Sequence, residues 1–116
     1  MDTDMLDSTD ALERVRALND AARRHLTDGK AVFTRGIAAL PEDVQAASLD
    51  RVCSFDDFAP WIDPWTEHDF GAFEHAGHRI FWKIDYFDRD EQFGSPNPAD
   101  PTVTKRVLTV MLAGEH

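Results

Sequence analysis

The chain of 116 residues is poor in cysteine, in long apolar runs and in positive charge. Its single cysteine, Cys53, excludes an internal disulfide and is typical of a protein of the reducing cytosol. No stretch approaches the roughly 18 apolar residues of a membrane helix. A basic start followed by an apolar run is also missing, so the sequence predicts no signal peptide. We therefore expect a cytoplasmic protein without a membrane anchor.

The shortage of bases also limits the class of partner. Lys and Arg number 12 against 22 Asp and Glu, which gives a formal net charge of −10. Proteins that bind nucleic acid neutralise phosphates with Lys and Arg, so this balance argues against direct binding of nucleic acid or of an anionic membrane. A basic protein partner is compatible with it.

The charge is concentrated in one part of the chain. Residues 55–100 hold 11 of the 22 acids and 11 of the 12 aromatic residues, but only Arg79, Lys83 and Arg89 as bases. Aromatic side chains are large packing units, whereas clustered carboxylates need solvent. We expect this segment to supply both the core and an acidic surface.

Three helices are predicted. Apolar residues recur at three- and four-residue spacing between Leu12 and Leu26, which is typical of an amphipathic helix, and the arginines there, including Arg23, lie mostly off the apolar face. A second helix is expected from Pro41. Asp100-Pro101, a capping residue followed by proline, predicts a third helix over the valine-rich stretch after it. Residues 1–8 are expected to form a flexible acidic tail, and residues 9–116 one domain.

The strongest pattern is a β-hairpin over residues 68–87. With Ala76-Gly77 as a two-residue turn, Glu74 faces Arg79 and Gly71 faces Trp82. This register places five large residues on one buried face: Phe73, Ile80, Trp82, Ile84 and Tyr86. Together with a strand at 31–35, the hairpin predicts an α+β fold, in which a small antiparallel sheet is packed by three helices. The loop before the hairpin contains Trp61 and Trp65, which we expect to pin it to the body.

Several strings together resemble a bacterial family catalogued as a domain of unknown function. They are RALND at 16–20, HDFGAF at 68–73, FWKIDY at 81–86, FGSP at 93–96 and RVLTVML at 106–112. The resemblance runs from about Leu12 to the C-terminus and assigns no catalytic residue. It implies a cytoplasmic bacterial protein that is often encoded near mobile-element genes. Small acidic proteins in that setting include inhibitors of host defence, anti-CRISPR proteins among them, some of which imitate DNA.

The preferred hypothesis is therefore a non-enzymatic acidic protein that binds a basic partner, such as the nucleic-acid path of a defence complex. It needs no cofactor, metal or catalytic residue. The expected contacts are the exposed acids and the aromatic pair on the outer side of the hairpin: Asp56, Asp57, Asp63, Glu67, Asp69, Phe70, Phe81, Asp88, Asp90 and Glu91. Carboxylates spaced like phosphates can occupy a channel built for phosphates.

Two alternatives remain open. A small metal-dependent hydrolase would be centred on His68, Asp69 and Asp85, because imidazole and carboxylate groups together bind divalent metals. No metal-binding motif supports it, however. A homodimer would instead place Phe70 and Phe81 at the centre of its interface, since exposed apolar patches mark interaction sites. Cys53 lacks a nearby base and is expected to be inert.

Overall fold

The computed structural model describes residues 8–26, 29–61, 63 and 66–116. In these residues the chain forms three α-helices and four strands, so the predicted α+β class is confirmed. The elements are α1 (Ser8–His25), β1 (Gly29–Phe33), α2 (Arg35–Ala38), α3 (Glu42–Cys53), β2 (Phe70–His75), β3 (His78–Phe87) and β4 (Lys105–Leu112), followed by a 3₁₀ turn (Ala113–Glu115). Residues 1–7 of the expected tail lie outside the described residues, and Ser8 already belongs to α1.

The sheet has the strand order β1-β4-β3-β2. β2, β3 and β4 pair antiparallel, but β1 pairs parallel with β4, so the sheet is mixed and not antiparallel throughout as expected. β1 and β2 are the two edge strands. An edge strand leaves half of its backbone hydrogen-bonding groups without a sheet partner.

The predicted third helix is wrong, because that stretch forms β4. β4 lies between β1 and β3, and five of its eight residues are buried, on both faces of the sheet. Short apolar runs fit both a helix and a fully buried strand, and β-branched residues such as Val107 and Val110 favour the strand. Asp100 does not cap a helix. Its Oδ1 accepts hydrogen bonds from the backbone N–H and the hydroxyl of Thr102, which closes a turn.

The predicted hairpin is confirmed in every pair. Glu74 lies opposite Arg79 and Gly71 opposite Trp82. Both turn residues have positive φ, 51° at Ala76 and 80° at Gly77, as a type I′ turn requires. The indole of Trp82 covers Gly71 so closely that a Cβ there would lie 2.3 Å from its Nε1.

The core lies on one face of the sheet, which we call the inner face. It combines residues of the hairpin, β4, α2, α3 and the loop after α3: Ile37, Val52, Phe55, Phe73, Ile80, Trp82, Ile84, Leu108 and Val110. α1 also reaches this face, since its Asn19 bonds to Tyr86 of β3 and Arg106 of β4. We call the opposite side, which carries Phe70 and Phe81, the outer face.

The loop between α3 and β2 is expected from the sequence to be pinned to the body by two tryptophans. Trp61 does not pin this loop, because its side chain is 82% exposed. Trp65 lies outside the described residues. Among the helices that the structure describes, none has the length and apolar character needed to cross a bilayer.

Candidate functional site

A polar cluster is buried between α1 and the inner face of the sheet. Its centre is Asn19, which is 0% exposed. The Asn19 side-chain amide donates to Tyr86 Oη at 2.7 Å and to the Glu67 carbonyl at 3.0 Å, and its Oδ1 accepts from Arg106 Nε at 2.7 Å. Tyr86 in turn donates to Glu67 Oε1 at 2.8 Å. One side chain of α1 thereby links two strands and the loop before β2.

Arg23 extends the cluster by one helical turn. It is 0% exposed, so the expectation that it lies off the buried face is wrong. Its guanidinium donates to the carbonyls of Val52 and Cys53 and to Asp20 Oδ1 at 3.1 Å. Burial lowers the pKa of Arg23, and the bond to Asp20 opposes this effect. The spacing Val15, Asn19, Arg23 is the signal that could have revealed the true buried face of α1.

His68 is held by carboxylates on both sides. Its Nδ1 lies 2.9 Å from Asp20 Oδ1, its Nε2 lies 3.8 Å from Asp63 Oδ2, and its backbone N–H donates to Asp63. The imidazole also stacks on Phe58 with ring centroids 3.7 Å apart. His68 has a positive φ of 58°, a costly conformation that these contacts hold in place. We call these residues the Asn19 network: Asn19, Asp20, Arg23, Asp63, Glu67, His68, Tyr86 and Arg106.

Two groups at this network have strongly shifted pKa values. Burial raises the pKa of Tyr86, so the phenol stays protonated and remains a hydrogen-bond donor to Glu67. Burial, together with repulsion from Glu67, raises the pKa of Asp69 to about 6. Asp69 therefore changes charge close to neutral pH.

The residues of the hydrolase alternative are not brought to one place. His68 bonds to α1 on the inner side, whereas Asp85 pairs with Lys83 at 3.1 Å on the outer face. In the described part of the chain, no group of three or more His, Cys, Asp or Glu side chains is placed to hold a metal ion. Burial raises the pKa of the Cys53 thiol, which disfavours the reactive thiolate.

A groove of about 360 Å³ runs between the C-terminal end of α3 and the edge strand β2. We call it the edge groove, and its lining is Arg51, Ser54, Phe55, Asp56, Asp57, Ala72, Phe73 and Glu74. Phe55 and Phe73 are buried, whereas Asp56 and Asp57 are exposed. Arg51 lies over the Phe73 ring at 4.5 Å from its centroid and donates to the Glu74 carbonyl at 2.5 Å. The sequence alone did not indicate this groove, because it forms between distant parts of the chain.

The residues expected to contact a partner fall into separate places. Asp63 and Glu67 are engaged inside the Asn19 network, and Asp63 is only 4% exposed. Asp56 and Asp57 lie at the edge groove, and Asp69 lies just before β2. None of these positions tests the contacts themselves, which stay predictions.

The remaining acids lie at the far end of β3. Glu91 bonds to Lys30 at 2.6 Å and lies 3.4 Å from Lys105, and the bond from Lys30 lowers the pKa of Glu91. Asp88 accepts the backbone N–H of Gln92, and Asp90 is exposed. At about 3.4 Å per residue along β3, this acidic turn is about 25 Å from the edge groove. The acids therefore do not form one continuous surface.

The aromatic pair on the outer face is formed as expected. Phe70 and Phe81 meet edge to face with ring centroids 5.2 Å apart. His116 packs against both rings, at 5.6 and 5.5 Å. Both rings are half-buried.

Comparison with known protein families places most of the chain in one of them. A family model described as a protein of unknown function, DUF3768, matches residues 33–115. The chain belongs to this family. The chain matches no curated protein and no solved structure. The bacterial and mobile-element setting that the resemblance implied stays a prediction.

The matched residues include the hairpin and β4 but begin after α1. Asn19 and Arg23, both fully buried, thus come from outside the match and still complete the polar interior of the matched part. The strings on which the resemblance rests contribute to the same interior where they lie within the match, through His68 of HDFGAF, Tyr86 of FWKIDY and Arg106 of RVLTVML. These three residues therefore hold the fold together through the Asn19 network.

Proposed function

We propose that this domain is a non-enzymatic interaction protein whose exposed carboxylates bind a basic partner protein. The observation that carries the proposal is the edge groove, where Asp56 and Asp57 are exposed and their carboxylates form no hydrogen bond or ion pair with any described residue. Most other acids of residues 55–100 are already engaged, by Arg79 at Glu74, by Lys83 at Asp85 and by two lysines at Glu91. Asp56 and Asp57 are thus two neighbouring acids of that segment left open to a partner, while Asp90, which is also exposed, lies away from the groove at the acidic turn.

The same loop supplies a second feature of protein-binding surfaces. Trp61 follows Asp56 and Asp57 by only a few residues and is 82% exposed. Exposed tryptophan is enriched among the residues that dominate binding energy at interfaces. Acidic groups beside an exposed indole favour a cationic partner over another acidic one, and a net charge of −10 adds long-range attraction.

The partner class that we propose is a nucleic-acid-binding protein, of the kind that a mobile element would inhibit in a host defence complex. Such proteins hold phosphates with Lys and Arg, and carboxylates can occupy the same groups. The domain would then act by occlusion, without turnover.

The test is a charge-matched pair of double variants. Asp56→Asn/Asp57→Asn removes two charges at the groove, whereas Glu42→Gln/Asp43→Asn removes two at the other end of α3, about 15 Å away. The probe is a capped peptide of about seven residues that alternates lysine and valine. We expect the groove variant to bind it about tenfold more weakly at low ionic strength and the α3 variant to bind nearly as the parent does.

High salt should reduce the difference between the two variants, because exposed charges are screened beyond about 10 Å at 0.1 M. Equal affinity of both variants for the peptide at low salt would refute the proposal.

A further inference from the structure

β2 presents an open backbone edge inside the edge groove. The N–H of Ile84 donates to the Asp69 carbonyl at 2.8 Å, and the register places Asp69 directly opposite Ile84. Hydrogen-bonded pairs alternate along an antiparallel ladder, so Gly71 and Phe73 bond to β3 as Asp69 does. The backbone groups of Phe70, Ala72 and Glu74 consequently point away from β3, towards the free edge.

Only part of this edge is used within the described chain. The Glu74 carbonyl accepts from Arg51, whereas neither the N–H nor the carbonyl of Ala72 bonds to any described residue. Ala72 lines the groove between the exposed acids and the buried ring of Phe73. A backbone donor and acceptor therefore stand side by side on the groove wall, in the spacing that an additional strand recognises.

The geometry points to strand addition: an extended basic segment of the partner pairs with β2 at Ala72 and forms a fifth strand of the sheet. This inference rests on the proposed function, and it specifies the conformation and side-chain pattern of the ligand. Side chains of an added strand alternate between the two faces. Those on the inner side meet Asp56 and Asp57, so lysine or arginine is expected at every second position.

Charge decides between a partner and a second copy of this chain as the occupant. A second copy paired edge to edge would bring its own Asp56 and Asp57 to the same groove, and like charges at an interface are unfavourable. Arg51 occupies the Glu74 carbonyl and so limits the free edge to Ala72 and the residues before it for any added strand. Charges at edge strands are a common protection against self-pairing.

The experiment uses the full chain, the lysine–valine peptide of the preceding test and two methylated forms of it. One form carries N-methyl groups on its valine amides and the other on its lysine amides. Ala72 bonds either to the residue opposite it or to the flanking residues, depending on the direction of the added strand. We expect one methylated form to bind at least about tenfold more weakly and the other nearly as the parent peptide does. Loss with valine methylation indicates an antiparallel strand, and loss with lysine methylation a parallel one.

Amide hydrogen exchange gives a second, residue-specific result. Saturating peptide should slow exchange at Ala72 at least about tenfold, while Phe73, which already bonds within the sheet, changes little. Equal binding of all three peptides, or unchanged exchange at Ala72 in the bound state, would overturn strand addition. Protection of Ala72 that rises with protein concentration without peptide would overturn it too, because the occupant would then be a second copy. The charge-variant test can still succeed in each of these cases, so the two proposals fail separately.

Discussion

The Asn19 network and the edge groove are both polar, and they use their polar groups in opposite ways. In the network the acids Asp20, Asp63 and Glu67 all have partners on this chain. In the groove the carboxylates of Asp56 and Asp57 have none among the described residues, and the backbone of Ala72 is open as well. Buried polar groups must be satisfied internally, whereas exposed groups are satisfied by water and are free to exchange water for a partner.

This difference can be followed in the strings on which the family resemblance rests. The most recognisable strings of the sequence contribute His68, Tyr86 and Arg106 to the network, where they hold the loop and two strands together. The groove takes its open acids from the loop after α3, which carries no such string, but it takes Ala72 and Phe73 from the HDFGAF string. One string thus contributes to both regions, His68 to the network and Ala72 to the groove.

The largest effect on the free energy of unfolding is expected from Arg23→Met, which removes a buried side chain of the Asn19 network. The change removes the buried ion-pair partner of Asp20 and the hydrogen bonds that Arg23 donates to the carbonyls of Val52 and Cys53. Breaking a buried charge pair typically costs about 3–5 kcal/mol. Chemical denaturation should show a loss of this order, and the matched Arg24→Met, at an exposed site, should change the free energy of unfolding by less than about 0.5 kcal/mol. Similar small losses in both variants would mean that the network does not stabilise the fold.

The hairpin could be predicted from sequence because its information is local. A two-residue turn and strict alternation determine the register from Phe70 to Lys83, and every predicted pair is present. The helix expected in place of β4 shows the opposite case. Its residues are apolar on both faces because β4 lies inside the sheet, and this environment is set by β1 and β3, which are distant in sequence.

The candidate site was only partly predictable for the same reason. Asp56 and Asp57 were identified from charge alone, without the groove that gives them a role. Arg51 and Ala72 could not be found, because their relevance depends on the contact between α3 and an edge strand. Arg23 was misplaced, since arginine is rarely buried and its burial here depends on carbonyls of α3.

A second, smaller effect on stability is expected from Gly71→Ala, which tests how tightly β2 packs against Trp82. Gly71 lies in β2 between the core and the groove, and an added Cβ would lie 2.3 Å from the indole nitrogen of Trp82. Overpacking of this kind typically costs about 1–3 kcal/mol, so Gly71→Ala should lower the free energy of unfolding by that amount. Gly114→Ala is the control, since no atom lies within 4 Å of the new methyl group. If Gly71→Ala is as stable as this control, the indole can move away and the packing between β2 and Trp82 is loose.

The smallest effect concerns Asp69, which lies between the network and β2. Burial, together with repulsion from Glu67, raises its pKa to about 6 from the ordinary 3.8. Between these two pH values the folded protein holds a proton at Asp69 that the unfolded chain has lost. The contribution of Asp69 to stability is therefore full below pH 3.8 and is lost as the pH rises through 6.

Asp69→Asn removes this titration while keeping the shape of the side chain. The free energy of unfolding of this variant and of the parent should be measured from pH 4 to pH 7.5. As the pH rises, the value for the variant should increase relative to that of the parent by about 1 kcal/mol, after allowance for solvent screening. A difference that stays constant over this range would mean that Asp69 is ionised in the folded protein at pH 4. The Asp69 carboxylate would then resemble the open acids of the edge groove more than the partnered acids of the Asn19 network. Asp69 would in that case belong with the edge groove.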